Sequence, residues 1–413
     1  MGYQQGLSGL AGASSALDVI GNNIANANTV GFKSSTAQFS DMYANSIATS
    51  VNTQIGIGTA LASVQQQFGQ GTINTTNSSL DVAINGNGFF QMSNNGVTTY
   101  SRDGTFQRDK NGFIVNAAGA NLMGYAADKN GVISTAQTVP LQAPTTNIAP
   151  TATTKISAQF NLNSQDTVPT KTPFNATDTT TYNYSTSIQV YDSLGGSQPV
   201  NMYFVKSAAG TWEAYAGVQG GATTDLGTVT FNSSGAIQST TTGTPAAPTA
   251  SLGQFQFTVP TTDGSTTPQP LTLDLTGTTQ FGGKDGVNNL AQDGYASGTL
   301  TTFSIGADGK LTGNYSNGQT AVLGQIAIAN FNNPNGLINL GGNQYAETSA
   351  SGVPQISAPG STNHGTLQGS ALENSNVDLT SQLVNLITAQ RNYQANAQTI
   401  KTQQTVDQTL INL

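Results

Sequence analysis

Few residues in this chain have the types and spacing that chemistry needs. Asp109-Lys110-Asn111-Gly112 and Asp128-Lys129-Asn130-Gly131 resemble the first half of a calcium loop, which also requires a Glu six residues after its Gly. Those positions hold Ala118 and Gln137, so both tetrapeptides read as turns. Gly56-Ile57-Gly58-Thr59-Ala60-Leu61 opens like a dinucleotide fingerprint but has Leu61 where the third Gly belongs. The one histidine, His364, stands in the turn-like stretch Thr362-Asn363-His364-Gly365. There is no cysteine, which removes thiol catalysis, disulfides and Cys-based zinc sites. The 20 acidic residues are dispersed. A carboxylate pair of the glycosidase kind stays open, with the single Trp212 weighing against a carbohydrate cleft. The expectation is a protein without catalysis, cofactor or metal.

The elements that would position any site come next. At 413 residues, the chain is long enough for about three domains. Its hydrophobic fraction of 36% supports real cores, and no apolar stretch is long enough to span a membrane. Only 8% of residues are charged, so Ser, Thr, Asn, Gln and Gly must make up most of the surface. A net charge of −8 argues against nucleic acid and against an anionic membrane surface. The opening Met1-Gly2-Tyr3-Gln4-Gln5 is not that of a Sec-type signal peptide.

Leu10, Ala13, Leu17, Ile20, Ile24 and Ala27 are spaced 3, 4, 3, 4, 3, which predicts a helix over the first 30 residues ending in the Asn-rich stretch before Gly31. Leu379, Leu383, Leu386, Gln390, Tyr393, Ala397 and Ile400 predict a longer helix at the other end, with cap residues in Asn376-Val377-Asp378. Between them the period falls to two. Asn85-Gly86, Asn87-Gly88, Asn95-Gly96, Asn111-Gly112 and Asn130-Gly131 read as hairpin turns. Ile156, Ala158, Phe160 and Leu162 alternate as one face of a strand. Leu141 to Thr154 and Gly277 to Gly298 read as linkers. The expected fold class is α+β and multidomain, with terminal helices forming a coiled-coil-like assembly core and nested all-β domains between them. The expected division is 1–30 with 366–413 as the helical domain, 31–71 as a connecting segment, 72–140 with 299–365 as an inner β domain, and 141–298 as linkers and an inserted outer β domain with its core at 155–276.

Leu17-Asp18-Val19-Ile20-Gly21-Asn22-Asn23-Ile24-Ala25-Asn26 with Gly31-Phe32-Lys33-Ser34 resembles the N-terminal signature of the bacterial flagellar axial proteins, the rod and hook family. Ser375-Asn376-Val377-Asp378-Leu379 and Ala389-Gln390-Arg391-Asn392-Tyr393-Gln394-Ala395-Asn396 resemble its C-terminal counterpart. Leu80 to Phe90 and Tyr100 to Tyr125 resemble the shared β domain. Phe39-Ser40-Asp41-Met42-Tyr43, Val190-Tyr191-Asp192-Ser193-Leu194-Gly195 and Met202-Tyr203-Phe204-Val205 resemble the hook branch, the last two its outer domain. The resemblance implies a structural subunit of a curved, hollow, helical polymer that transmits torque from rod to filament as a universal joint. It also implies export through the flagellar type III apparatus to an extracellular site, and rod, hook-filament junction and cap proteins as neighbours. A distal rod subunit is the nearest alternative, needing no outer domain. An extracellular enzyme or adhesin is the third.

Under that reading Leu10, Leu17, Ile20, Ile24, Leu379, Leu383, Leu386, Tyr393 and Ile400 pack within and between subunits. The bland alternative is a pair of ordinary core helices. Gly6, Gly9, Gly12 and Gly21 weigh against it, because such a helix needs neighbours to form. Gln394, Asn396, Gln398, Gln403, Gln404 and Gln408 are either a solvated face or part of a channel lining that unfolded cargo passes without sticking.

Overall fold

The computed structural model describes residues 2–42, 56–128, 130–144, 146–243, 247–248 and 251–411. Helix α1 spans Gly2–Ala25 and helix α2 spans Leu379–Ile411. Beyond its first residue α1 tolerates four glycines, Gly6, Gly9, Gly12 and Gly21, each worth about 1 kcal/mol against helix. It ends where the Asn26 amide and Nδ2 both donate back to the Asn22 carbonyl, at 3.2 and 2.9 Å. Helix α2 starts on Asp378, whose Oδ1 accepts from the Thr380 and Ser381 amides at 2.9 and 3.2 Å. Strand β1, Ser35–Met42, pairs antiparallel with strand β2, Gly58–Gln66. Part of the expected connecting segment is therefore a β-hairpin, while Tyr43 lies outside the described residues.

The chain forms two compact units, one of Met1–Thr145, Thr301–Asn314 and Thr320–Leu413, the other of Thr146–Leu300 and Tyr315–Gln319. In the first, Asn121–Ala126 pairs with Thr320–Ile326, at Gly124↔Ile326, and with Phe89–Asn94, at Leu122↔Met92. Strands from both sides of the inserted sequence thus share one sheet. Val82, Ile84, Phe90, Met92, Leu122, Leu141, Ile326 and Ile328 fill its core. Asn95 and Gly96 both take positive φ, 50° and 87°, as the hairpin joining Phe89–Asn94 to Val97–Ser101 requires. The pairs at 85–88 do not make hairpins. Val82–Asn85 pairs with Thr366–Gly369 instead, and Gly86 and Gly88, with φ of 106° and 129°, carry the chain onward to the larger sheet.

The second unit is two sheets around one core. The alternation read from Ile156 to Leu162 is realised in the strand Lys155–Asn163, whose four apolar side chains are at most 1% exposed. The facing sheet runs in meander order from Tyr184–Tyr191 through Ser197–Ala208, Thr211–Val218 and Thr223–Phe231 to Ile237–Thr242. Both sheets contribute to the core, and Trp212 is fully buried there rather than in a cleft.

Both expected linkers need correction. Leu141 and Ala143 are buried. Thr279–Phe281 and Gly286–Gln292 are strands, both paired with Lys155–Asn163. Their Gly and Asn content resembles a linker, yet Gln280 is 9% exposed, and the pairing partner, remote in sequence, makes them strands. The outer core therefore extends past residue 276.

Asp274 ties the rim of this unit. Partial burial pushes its carboxyl up. Hydrogen bonds from Lys155 and Thr276 outweigh that and hold it at about 2, with Lys155 Nζ at 2.8 Å. A depressed folded value means stability present above the ordinary carboxylate range and lost as pH falls through about 2. Asp274→Asn should therefore flatten the acid limb of the unit's unfolding curve between pH 4 and 2, measured by circular dichroism, by lowering stability at pH 7 while leaving it nearly unchanged near pH 2.

Candidate assembly surface

Helices α1 and α2 lie against each other, and small residues bring them close. A Cβ on Gly6 would stand 2.9 Å from Ile400 Cγ1, and one on Gly9 would stand 2.7 Å from Asn396 Oδ1. Farther along, Asn23 Nδ2 lies 3.4 Å from Gln382 Oε1. As numbers rise in α1 they fall in α2, so the helices are antiparallel. Ala13 and Ala389 are buried. The glycines that weaken α1 as an isolated helix thus let it approach a second one. Their spacing at 6, 9 and 12 carries that signal.

The β1–β2 hairpin backs this pair. Gln5 Nε2 donates to the Gly56 carbonyl at 2.6 Å, and the Thr59 amide donates to Ser8 Oγ at 3.3 Å. A Cβ on Gly12 would be 3.4 Å from both Phe39 and Thr59.

The apolar stripes lie elsewhere on both helices. Leu10, Leu17, Ile20 and Ile24 are half-buried, as are Leu386 and Ile400. Leu379, Leu383 and Tyr393 are 47%, 44% and 38% exposed. Of the nine, Ile400 is turned onto α1 at Gly6. At about 100° per residue, Leu379 and Leu383 lie well off the line through Gln382, Ala389 and Asn396 that meets α1. The six amides do not share a face. Gln394, Gln398, Gln404 and Gln408 are exposed, whereas Asn396 packs at Gly9, and Gln403 is half-buried and donates to Asp407 Oδ1 at 3.1 Å.

A second site joins the helices to the inner unit. Lys33 Nζ reaches Glu373 Oε1 at 2.7 Å and the Gly69 carbonyl at 2.8 Å; Arg102 NH1 reaches Glu373 Oε2 at 3.2 Å. Glu373 and Lys33 side chains are 0% exposed and Arg102 3%. Burial, then the Arg102 charge, push the Lys33 ammonium below its ordinary value, while Glu373 pulls it back; burial also lowers Arg102. Asn376 Oδ1 accepts from the Ser34 amide at 2.7 Å and its Nδ2 donates to the Gln67 carbonyl at 2.7 Å. Asn23 exchanges two bonds with Ser35, at 2.7 and 2.9 Å. Gly31, with φ of +70°, lies so close that a Cβ would sit 2.7 Å from the backbone of Arg102 and Asp103. Asn23, Gly31, Lys33 and Asn376 all belong to the terminal signatures; nothing in the sequence marks Arg102 and Glu373 as their partners.

The residues first weighed for chemistry have structural work. Asp109 Oδ1 accepts from the Asn111 and Phe113 amides, and Asp128 Oδ1 from those of Asn130 and Val132. The His364 ring nitrogens lie 2.9 Å from the Thr362 and Gln355 carbonyl oxygens. Asp166 and Asp285 do come together. Burial, helped by Asp166, raises the Asp285 carboxyl, and both bond Asn163. Among the described residues no three acidic or histidine side chains gather as a metal set, and no helix is long and apolar enough to cross a membrane.

Paired helices are thus tied by residues of the two terminal signatures to a β unit whose sequence is interrupted by a second one. The chain matches the families described as Flagella basal body rod protein over residues 4–33, Flagellar hook protein FlgE/F/G D1 domain over 83–165, Flagellar basal body protein FlaE D2 domain over 161–295 and Flagellar basal body rod FlgEFG protein C-terminal over 368–413. It is 43% identical to flagellar hook protein FlgE of Salmonella typhimurium, with all of both chains covered, and 41% identical to that of Escherichia coli K12, again in full. That of Treponema pallidum is 33% identical, with 99% of this chain and 98% of that one covered. The fold is similar to the crystal structure of Helicobacter pylori flagellar hook protein FlgE2, at TM-score 0.50 and 16% identity, over 73% of this chain and 100% of that one. The chain belongs to the flagellar hook protein FlgE family. Its role is that of a hook subunit rather than a rod subunit, and its place is the extracellular part of the flagellum. The D2 match covers 220–295, which carried no quotable motif.

The triad allows an ordering of substitutions. Glu373→Gln leaves two buried cations facing each other and should lower stability by about 3–5 kcal/mol. Lys33→Met keeps the neutral Arg102–Glu373 pair and should cost much less. Urea unfolding midpoints of the two variants would measure the difference.

Proposed function

We propose that this subunit polymerises through α1 and α2 and that its outer unit governs how the polymer bends. The observation that carries the first part is the exposed apolar stripe of α2, with Leu379, Leu383 and Ile387 at 47%, 44% and 52% exposure beside the half-buried leucines of α1. Each such side chain is worth roughly 1.5–3 kcal/mol when fully buried, and the contact repeats at every subunit. Of the amides, the exposed Gln394, Gln398, Gln404 and Gln408 are the ones suited to a wetted channel wall. Rod, junction and cap proteins and the type III apparatus are the neighbours that family membership suggests.

A bent tube turning about its own axis must shorten each row of subunits on the inside and lengthen it on the outside once per turn. Close-packed apolar helices resist sliding. Polar, weakly charged β surfaces exchange hydrogen bonds with water at a net cost of about 0.5–1.5 kcal/mol each, so the outer unit suits the changing contacts.

Leu17→Asp or Leu383→Asp should abolish sedimentable polymer while both β units keep their circular dichroism and melting behaviour; normal assembly of these variants would refute the helix part. Replacing 146–300 with a short Gly-Ser joint removes the outer sheets whole, including the strands at 279–292. The resulting polymer should form but be straighter under the electron microscope.

A further inference from the structure

Within the second unit one buried charge has no counter-charge. Val200, Met202 and Phe204 of the strand Ser197–Ala208 belong to the core, and Lys206 takes the next inward position, at 6% exposure. Its Nζ donates to the Ser164 and Asp166 carbonyls at 2.6 and 2.8 Å and stands 5.7 Å from the centre of the Trp212 ring. Among the described residues no carboxylate pairs with it; those of Asp166 and Asp285 are turned to Asn163. A lysine ordinarily keeps its head in water, and a charge taken out of water needs a partner. An ammonium also has three donors. Two go to the carbonyls and the third is left over. Lys206 lines a pocket of about 640 Å³. One wall is the turn after Thr223–Phe231, with Ser233 and Ser234, and the other is the end of Thr279–Phe281, with Gln280 and Phe281. The Gln280 amide donates to the Gly235 carbonyl at 2.8 Å and ties the two walls together. No other lining residue is charged. Phe281, 53% exposed, leaves much of its ring to water.

We infer that this pocket binds a small organic carboxylate with a flat apolar body, the carboxylate on Lys206 Nζ and the body against Phe281. The carboxylate supplies both things that Lys206 lacks, a counter-charge and an acceptor for its third N–H, and such charge-assisted bonds are the strong ones. A ring laid on Phe281 takes that surface out of water and adds an edge or offset contact. A phosphate fits less well, since one ammonium leaves its second negative charge unpaired. The volume is that of sites for small molecules. The pocket is built entirely by residues 164–282 of the second unit, so the inference is independent of the assembly reading.

Trp212 is the single tryptophan of the chain and lies beside the ammonium, so its fluorescence reports on the site. Benzoate titrated into the full-length subunit should change that fluorescence saturably. Benzamide keeps the ring without the charge, and acetate keeps the charge without the ring. Each should need a concentration about tenfold higher or more. Lys206→Met should abolish the preference for benzoate over benzamide. Because Lys206 also holds two carbonyls, the circular dichroism of that variant is measured alongside, and where it is lost Phe281→Ser decides. Phe281 is exposed, so its replacement should keep the fold, weaken benzoate about fivefold and leave acetate unchanged. A response to benzamide equal to that for benzoate, no saturable response at all, a folded Lys206→Met that still prefers benzoate, or a Phe281→Ser that binds benzoate as tightly as the parent chain would each overturn the inference.

Discussion

The joint where the segments beside α1 and α2 meet the β structure turns on one buried carboxylate. Glu373 faces two cations, Lys33 and Arg102, in a place closed to water, and it also accepts the Gly71 amide at 2.8 Å. Such a site holds together only while the carboxylate stands between the cations, since a buried charge left alone costs several kcal/mol. The triad draws the segment after α1, the loop after β2, the inner unit and the approach to α2 to one point. Asn23 and Asn376 extend it with bonds to backbone, so the directions in which both helices leave the unit are set by groups with no freedom to trade partners.

Around that joint the helices themselves are built for contact rather than for independence. The glycines of α1 give up helix propensity and in return allow close approach to α2 at Gly6 and Gly9 and to the hairpin at Gly12. The pair buries Ala13 and Ala389 and leaves Leu379 and Leu383 of α2 exposed. The second unit follows a different plan: two sheets over an apolar core that includes Trp212 and Phe160.

Local pattern made much of this legible. The strict alternation at Ile156 to Leu162 reads as a strand because one face is buried and the other is not, and Asn95-Gly96 reads as a tight hairpin because both residues accept positive φ. Pairing at long range leaves no such trace. Nothing near Glu373 in sequence marks it as the partner of Lys33, 340 positions away. The strands at 279–292 look like linker because their composition is that of a loop, and only the strand at 155–163 makes them otherwise. The apolar stripes of the two helices are visible as a periodicity, but how far each residue is exposed depends on where α1, α2 and the hairpin press, and that is a property of three segments at once.

The antiparallel pairing of α1 with α2 has a consequence for the order of events. Contacts such as Asn23 with Gln382 link residues 359 positions apart, and closing so long a loop in an unfolded chain carries an entropic cost of several kcal/mol by the logarithmic scaling of loop closure. The cost falls once the β units between them have folded and shortened the path. Helix α1 is therefore among the last elements to be completed, because its partner lies far along the chain at Leu379–Ile411. A subunit with this topology has a built-in delay: it cannot present its finished helix pair to anything until α2 is in place.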